Sequence, residues 1–279
     1  MLNVLTFNEI SSDSKLKEKI MYKFLKPVTV NETSYDNLNI KHVNAIKRKN
    51  KIPWKKISRT LGNYNQQILC SSDVLFPPNF KFTRYEPLNL NRILCQNAAI
   101  ETLKLAKASK SKLSVTIFDP LGCYGNIVYR LLPFLHQIKV ITKNIEFYAR
   151  ESEILMEQYG ASILVCNSVS WIRPCHMLIA PDKITTPLSL PKECITFTGF
   201  RPNTSLNGSV YYNYKVKIPS KFKKIIPQGI NSEYFLSALI DSHNISSTDN
   251  ITPELCTSSI GVTSIEDISQ NLVRKINLS

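Results

Sequence analysis

An aspartate and a glycine-containing turn follow the most clearly strand-like run of the sequence. Residues 113–118 are apolar and rich in β-branched side chains, which indicates a buried strand, and Asp119 comes directly after them. Gly122 and Gly125 follow, and apolar residues then recur at helical spacing. Ligands of α/β sheets bind beyond the carboxyl ends of strands, so this turn is the first candidate binding site.

Two other residue types in this region could do chemistry. Asp182 follows a predicted strand at residues 177–180, and together with Asp119 it could orient a sugar, bind a cation or act in acid–base catalysis. The alternative is that both carboxylates cap the turns after their strands. Cys123 and Tyr124 lie within the glycine turn, where a helix N-terminus would lower the pKa of the thiol; a packing role is the alternative for Cys123.

Strands alternate with helices through this part of the chain. Strands are predicted at residues 113–118, 138–142, 161–166, 177–180 and 194–198, with helices after the first two. This alternation predicts an α/β fold, a Rossmann-like parallel sheet with helices on both faces, preceded by a smaller α/β N-terminal domain. Right-handed crossovers bring all strand ends of one sense to one edge. We therefore expect one cleft to be lined by Asp119, Gly122, Thr142, Lys143, Asn167 and Asp182.

Breaks in the pattern set the expected domain limits. A polar break at residues 109–112 separates residues 1–110, a mixed α/β domain, from residues 111–230, the Rossmann-like domain. Residues 231–279 are predicted to form a C-terminal helical extension.

The glycine turn can be aligned with the dinucleotide fingerprint G-x-G-x-x-G, with proline in place of the first glycine. In that register it reads Pro120-Leu121-Gly122-Cys123-Tyr124-Gly125. Residues 113–199 thus resemble the NAD(P)-binding Rossmann domains. The resemblance implies that Gly122 admits a pyrophosphate, that Gly125 allows close packing of helix on strand, and that the helix N-terminus faces the phosphate.

The end of the second predicted strand bears on the choice of cofactor. Thr142 and Lys143 stand where NAD-binding domains carry an acidic residue for the ribose, and residues 140–143 resemble the second strand of NADP-using shikimate-dehydrogenase-type domains. This resemblance implies NADP rather than NAD, with both side chains near the 2′-phosphate. The expected cofactor-binding set is Asp119, Gly122, Cys123, Tyr124, Gly125, Thr142, Lys143, Asn167 and Asp182.

Composition limits the remaining functions. The net charge of +14 is concentrated in clusters at residues 47–59 and 215–224, which invites a nucleic-acid interpretation. Lysines outnumber arginines 26 to 9, however, as an A/T-rich genome would encode, so we expect only weak, unspecific nucleic-acid binding. The sequence has no membrane-length apolar run, signal peptide or C-x-x-C pair, and we expect a cytoplasmic protein that contacts no membrane.

Two functions remain open from the sequence. The first is a protein that binds a nucleotide or dinucleotide, with an NADP-dependent oxidoreductase as its most specific form. The second is a non-enzymatic scaffold or regulator with a degenerate cofactor site, whose basic segments contact an acidic partner. No catalytic residue is predicted.

Overall fold

The computed structural model describes residues 1–9, 24–35, 38–47, 51–62, 67–243 and 251–278. The first elements are β1 (Leu2–Glu9), β2 (Val28–Tyr35), β3 (Leu38–Lys47), α1 (Trp54–Leu61), β4 (Gln67–Ile68) and β5 (Thr83–Arg84). The central elements are α2 (Leu90–Ala106), β6 (Val115–Phe118), α3 (Asn126–Leu131), β7 (Gln137–Ile141), α4 (Ile145–Tyr159), β8 (Ser162–Cys166), a 3-10 helix (Val169–Ile172), β9 (Met177–Ala180) and β10 (Ile195–Thr198). The last elements are β11 (Ser209–Val216), α5 (Ser220–Lys223), α6 (Ser232–His243), β12 (Pro253–Ser258), β13 (Val262–Ser264) and α7 (Ile265–Leu278).

The chain divides into two compact units, residues 1–89 with 218–246 and residues 90–217 with 247–279. In the first unit, β3 lies between β1, to which it is parallel, and β2, to which it is antiparallel. Helix α1 buries Ile57 and Leu61, four residues apart on one helical face, in a core with Leu5 and Val43. The smaller α/β part is therefore present, whereas the predicted domain limits near residues 110 and 230 stay predictions.

The second unit is built on an eight-stranded sheet in the order β13-β12-β11-β10-β9-β6-β7-β8. Strands β6 to β11 are parallel, while β12 and β13 add an antiparallel margin. Numbered from β6, the parallel strands follow the order 3-2-1-4-5-6 of Rossmann-type sheets. The predicted Rossmann-like fold is confirmed, and its topological switch point lies between β6 and β9.

The two faces of this sheet are covered differently. Helix α2 packs on β9, β10, β11 and β12, with α3 and α7 beside it. The β8-to-β9 connection crosses on the opposite face, as right-handed crossovers require. There the 3-10 helix and residues 184–190 cover a core cluster that includes Phe118, Leu178 and Ala180. Helices therefore cover one face, and among the described residues the 3-10 helix and loops cover the other.

The C-terminal region differs from the sequence prediction. Besides helices α6 and α7, the structure places strands β12 and β13 there, and β12 pairs with β11. These strands are short and largely polar, so they lack the apolar alternation that predicts a strand. They form because β12 pairs with β11 and β13 pairs with β12. Across the described ranges, no helix has the length and apolar character needed to span a bilayer.

Candidate functional site at the carboxyl edge of the sheet

The candidate residues lie at one edge of the large sheet because β6, β7, β8 and β9 are parallel. Asp119, Thr142, Asn167 and Pro181 each come directly after one of these strands. The prediction that these strand ends share an edge is therefore confirmed. The contacts of the individual side chains then differ greatly.

The carboxylate of Asp119 is fully buried and accepts three hydrogen bonds from the protein itself. The backbone N–H of Gly122 donates to Oδ1 across 3.0 Å, and that of Tyr124 donates to Oδ2 across 2.9 Å. The hydroxyl of Tyr148, on α4, donates to Oδ2 across 2.7 Å. Two N–H groups of the glycine turn are thus directed at an internal anion, the carboxylate of Asp119.

Both glycines of the turn make room for the first turn of α4. Gly122 has a φ of +71°, and a Cβ there would lie 2.9 Å from the side chain of Asn144. A Cβ on Gly125 would lie 2.8 Å from the ring of Phe147. Asn144 also caps α4, because its side-chain oxygen accepts a hydrogen bond from the N–H of Phe147. Internal packing therefore accounts for this glycine spacing in the structure.

The predicted residues after β7 and β8 are placed in different environments. Thr142 is buried, and its hydroxyl accepts a hydrogen bond of 3.0 Å from the N–H of Asn144. The Lys143 side chain is exposed, while its backbone N–H donates to the carbonyl of Pro120. Asn167 is exposed. Of these three, Thr142 supports the loop and Lys143 and Asn167 face solvent.

An open pocket of about 440 Å³ lies at the switch point. It is lined by Arg92, Pro120, Leu121, Asp182, Lys183, Thr185 and Phe200. Arg92 Nε lies 2.8 Å from Asp182 Oδ1, and its guanidinium carbon lies 5.6 Å from the centre of the Phe200 ring. Gly199 allows the backbone after β10 to lie close to Pro181, since a Cβ at residue 199 would lie 2.1 Å from the carbonyl oxygen of Pro181. Asp182 is the one predicted residue among the lining residues.

The side chains of Cys123 and Tyr124 in the turn are influenced by the charges of Asp119 and Asp182. Cys123 is exposed, and partial burial of its thiol together with the charges of Asp119 and Asp182 raises its pKa. The expectation of a lowered thiol pKa and the alternative of a packing role are both wrong for this residue. Burial raises the pKa of Tyr124 as well, and the charge of Asp182 adds to the effect.

Sequence reasoning missed Arg92, Lys183, Thr185 and Phe200. Arg92 did carry a signal, because it is a cation in the first turn of α2, where the helix dipole favours anions. A carboxylate partner such as Asp182 offsets that cost. Within the described ranges, no group of three or more His, Cys, Asp or Glu residues could hold a metal ion.

Comparisons with known proteins place the chain in no family. No protein-family model matches the chain. No curated protein sequence matches it either. Among solved structures, it is similar to the crystal structure of L-tryptophan dehydrogenase from Nostoc punctiforme, with 13% identity and a TM-score of 0.32, over 100% of this chain and 89% of that chain. At that TM-score the likeness supports neither a fold nor a function, and the fold rests on strand order.

Proposed function

We propose that the protein binds a nucleotide-type ligand in the switch-point pocket, with a phosphate group facing Arg92 and Lys183. The single observation that carries the proposal is a pocket with two cationic side chains at the switch point of a Rossmann-type sheet. In open α/β sheets this is the position at which ligands bind.

The contents of the pocket suit such a ligand. Its volume of about 440 Å³ lies within the usual range for small-molecule sites. Arg92 is held by Asp182, so a phosphate would meet an already oriented guanidinium. The Thr185 hydroxyl can donate to a phosphate oxygen, and Phe200 offers apolar surface to a base or ring.

The proposed binding mode departs from the dinucleotide fingerprint. Because Asp119 accepts hydrogen bonds from the N–H groups of Gly122 and Tyr124, phosphate contacts come from side chains of the pocket instead. Among dinucleotides, we favour NADP over NAD, since Lys143 is exposed after β7 and its chain neighbours, Thr142 and Asn144, are not acidic. The proposed ligand contacts are therefore Arg92, Lys183 and Thr185, with Lys143 added for a 2′-phosphate.

One observation favours a second candidate, a non-enzymatic scaffold or regulator with a degenerate cofactor site. The turn that would hold a pyrophosphate is occupied by the carboxylate of Asp119 and covered by Asn144 and Phe147. A protein that had lost its cofactor would retain the sheet order and fill the turn in this way.

Thermal unfolding in the presence of ligands separates the two candidates. We expect millimolar NADPH, ATP or AMP to raise the melting temperature, since ligand at 100 times Kd adds about 2.7 kcal/mol of stability. Lys183→Gln should reduce this shift. Lys192→Gln, an exposed lysine of the same connection that does not line the pocket, should retain it. If none of the three compounds changes the melting temperature, the ligand proposal is wrong and the scaffold interpretation is favoured.

A further inference from the structure

Two buried cysteines contact each other at the amino edge of the large sheet. Cys175 precedes β9 and Cys194 precedes β10, and their sulfur atoms lie 3.8 Å apart. Strands β9 and β10 are parallel neighbours, and the N–H of Ile195 donates to the carbonyl of His176 across 2.9 Å. The paired backbones therefore hold the two thiols side by side.

Hydrogen bonding makes the two thiols chemically unequal. The S–H of Cys194 donates to the sulfur of Cys175. This hydrogen bond lowers the pKa of Cys175 despite burial, and the nearby charge of Lys139 acts in the same direction. The pKa of Cys194 is raised, because its proton is held by that hydrogen bond and its thiol is buried. The S–H of Cys175 in turn donates to the carbonyl of Met177 across 3.1 Å. We therefore assign Cys175 as the thiol that reacts first and Cys194 as the thiol that attacks second.

We propose that Cys175 and Cys194 are a redox-modification site that forms a reversible intramolecular disulfide with hydrogen peroxide as oxidant. The Cys175 thiolate attacks one peroxide oxygen; an S–O bond forms, the O–O bond breaks, and the departing hydroxide takes up a proton as water. The Cys194 sulfur then attacks the sulfur of Cys175. The S–S bond forms, the S–O bond breaks, and hydroxide leaves with the Cys194 proton as a second water. Two thiols are oxidised and one peroxide is reduced.

The geometry requires only a small movement. A disulfide needs its sulfur atoms about 2 Å apart, so side-chain rotation must close less than half of the present separation. Both cysteines stand just before their strands, outside the ladder from Met177 opposite Ile195 to Ala180 opposite Thr198. Side-chain movement there need not break the strand pairing.

The disulfide would link both ends of the segment that lines the switch-point pocket. The loop that it closes contains β9 and the connection bearing Asp182, Lys183 and Thr185 of the switch-point pocket. Closing a loop of this length restricts the unfolded chain, so the oxidised protein should resist unfolding more than the reduced protein. This inference does not depend on the proposed ligand, because it concerns the thiols and the stability of the unit alone.

Peptide mapping of the unmutated protein tests the proposal without relying on a variant that must fold. Reduced protein is treated with hydrogen peroxide, free thiols are blocked, and the digest is compared with and without dithiothreitol. We expect a peptide pair linked through Cys175 and Cys194, and a melting temperature raised by about 5 °C or more that dithiothreitol restores.

Variants locate the bond and control for the other thiols. Cys166 lies in the same tryptic peptide as Cys175, so Cys166→Ser should keep the cross-link and identify its partner. Cys175→Ser and Cys194→Ala should each abolish the cross-link and the rise in melting temperature. A disulfide through any other cysteine, or sulfinic acid at Cys175 without a cross-link, would overturn the proposal.

Discussion

Tyr148 donates its hydroxyl proton to the carboxylate of Asp119 across 2.7 Å, and both side chains are fully buried. Tyr148 lies on α4 and Asp119 follows β6, so this hydrogen bond fastens the helix to the edge of the sheet. The same carboxylate also accepts the N–H groups of Gly122 and Tyr124. A buried charge is stable when donors surround it in this way.

Removing either partner of this hydrogen bond should destabilise the protein. We expect Tyr148→Phe to lower the free energy of unfolding by about 1–3 kcal/mol, since a buried charged oxygen loses a donor. Asp119→Asn should cost at least as much, because an amide nitrogen cannot accept a hydrogen bond from a peptide N–H. Urea unfolding measures both.

A less buried pair of the same chemistry provides the control for these variants. The Tyr129 hydroxyl donates to the carboxylate of Glu151 across 2.5 Å, between α3 and α4, where both residues are half-buried. Tyr129→Phe should change the free energy of unfolding by less than about 0.5 kcal/mol. If Tyr129→Phe and Tyr148→Phe lower the free energy of unfolding equally, burial of Asp119 does not strengthen the hydrogen bond from Tyr148.

Alkaline pH should lower the free energy of unfolding because the protein buries tyrosine hydroxyls. Burial, the Asp119 charge and the hydrogen bond to Asp119 raise the pKa of Tyr148, and burial raises that of Tyr214. As the pH rises, the unfolded chain therefore loses these protons at a lower pH than the folded protein does. The free energy of unfolding keeps its full value below about pH 10 and falls above it, by about 1.4 kcal/mol per pH unit for each tyrosine. Urea unfolding from pH 9 to 11 should show this slope, reduced by one proton in Tyr148→Phe. An unchanged slope in that variant would exclude Tyr148 as a source.

Glycine at position 125 should be needed for stability because the ring of Phe147, on α4, packs against it. Gly125→Ala places a Cβ 2.8 Å from the Phe147 ring, and such overpacking costs roughly 1–3 kcal/mol. The backbone of Gly125 is already helical, so alanine meets no other strain there. Phe147→Leu should recover much of the loss in the double variant, as a double-mutant cycle would measure. Strictly additive losses would contradict this packing explanation.

The sheet could be predicted from sequence because each parallel strand is a short apolar run, as at Val115–Phe118, and chirality then fixes the common edge. Asp119 and Asp182 were placed by that rule. The partners that decide their roles, Tyr148 and Arg92, come from helices, and only tertiary packing brings them to the edge. The spacing of residues near a strand end does not indicate which distant side chains will contact them.

The basic segments should bind nucleic acid weakly and without sequence preference. Lys55, Lys56 and Arg59 of α1 are exposed, but Lys47 contacts Glu9 and Lys217 lies 3.9 Å from Glu254. Arg48 to Asn50 lie outside the described residues. Six or more phosphate contacts would cost about 10³-fold in affinity or more between 50 and 200 mM salt, and we expect a shallower dependence by fluorescence anisotropy. A tight, sequence-selective complex at physiological salt would show that the charge serves recognition.

Lys143 should decide between the two nicotinamide dinucleotides. Its exposed ammonium after β7 can meet a ribose 2′-phosphate, so NADPH should raise the melting temperature more than NADH does. Lys143→Glu replaces this cation with a carboxylate, which suits a 2′-hydroxyl. We expect the affinity for NADPH to fall by about tenfold or more, or roughly 1.4 kcal/mol, and the affinity for NADH to stay unchanged. Lys112→Glu makes the same charge change just before β6, at the opposite edge, and should leave both affinities unchanged. If Lys143→Glu lowers the affinities for NADPH and NADH equally, this lysine does not distinguish a 2′-phosphate from a 2′-hydroxyl.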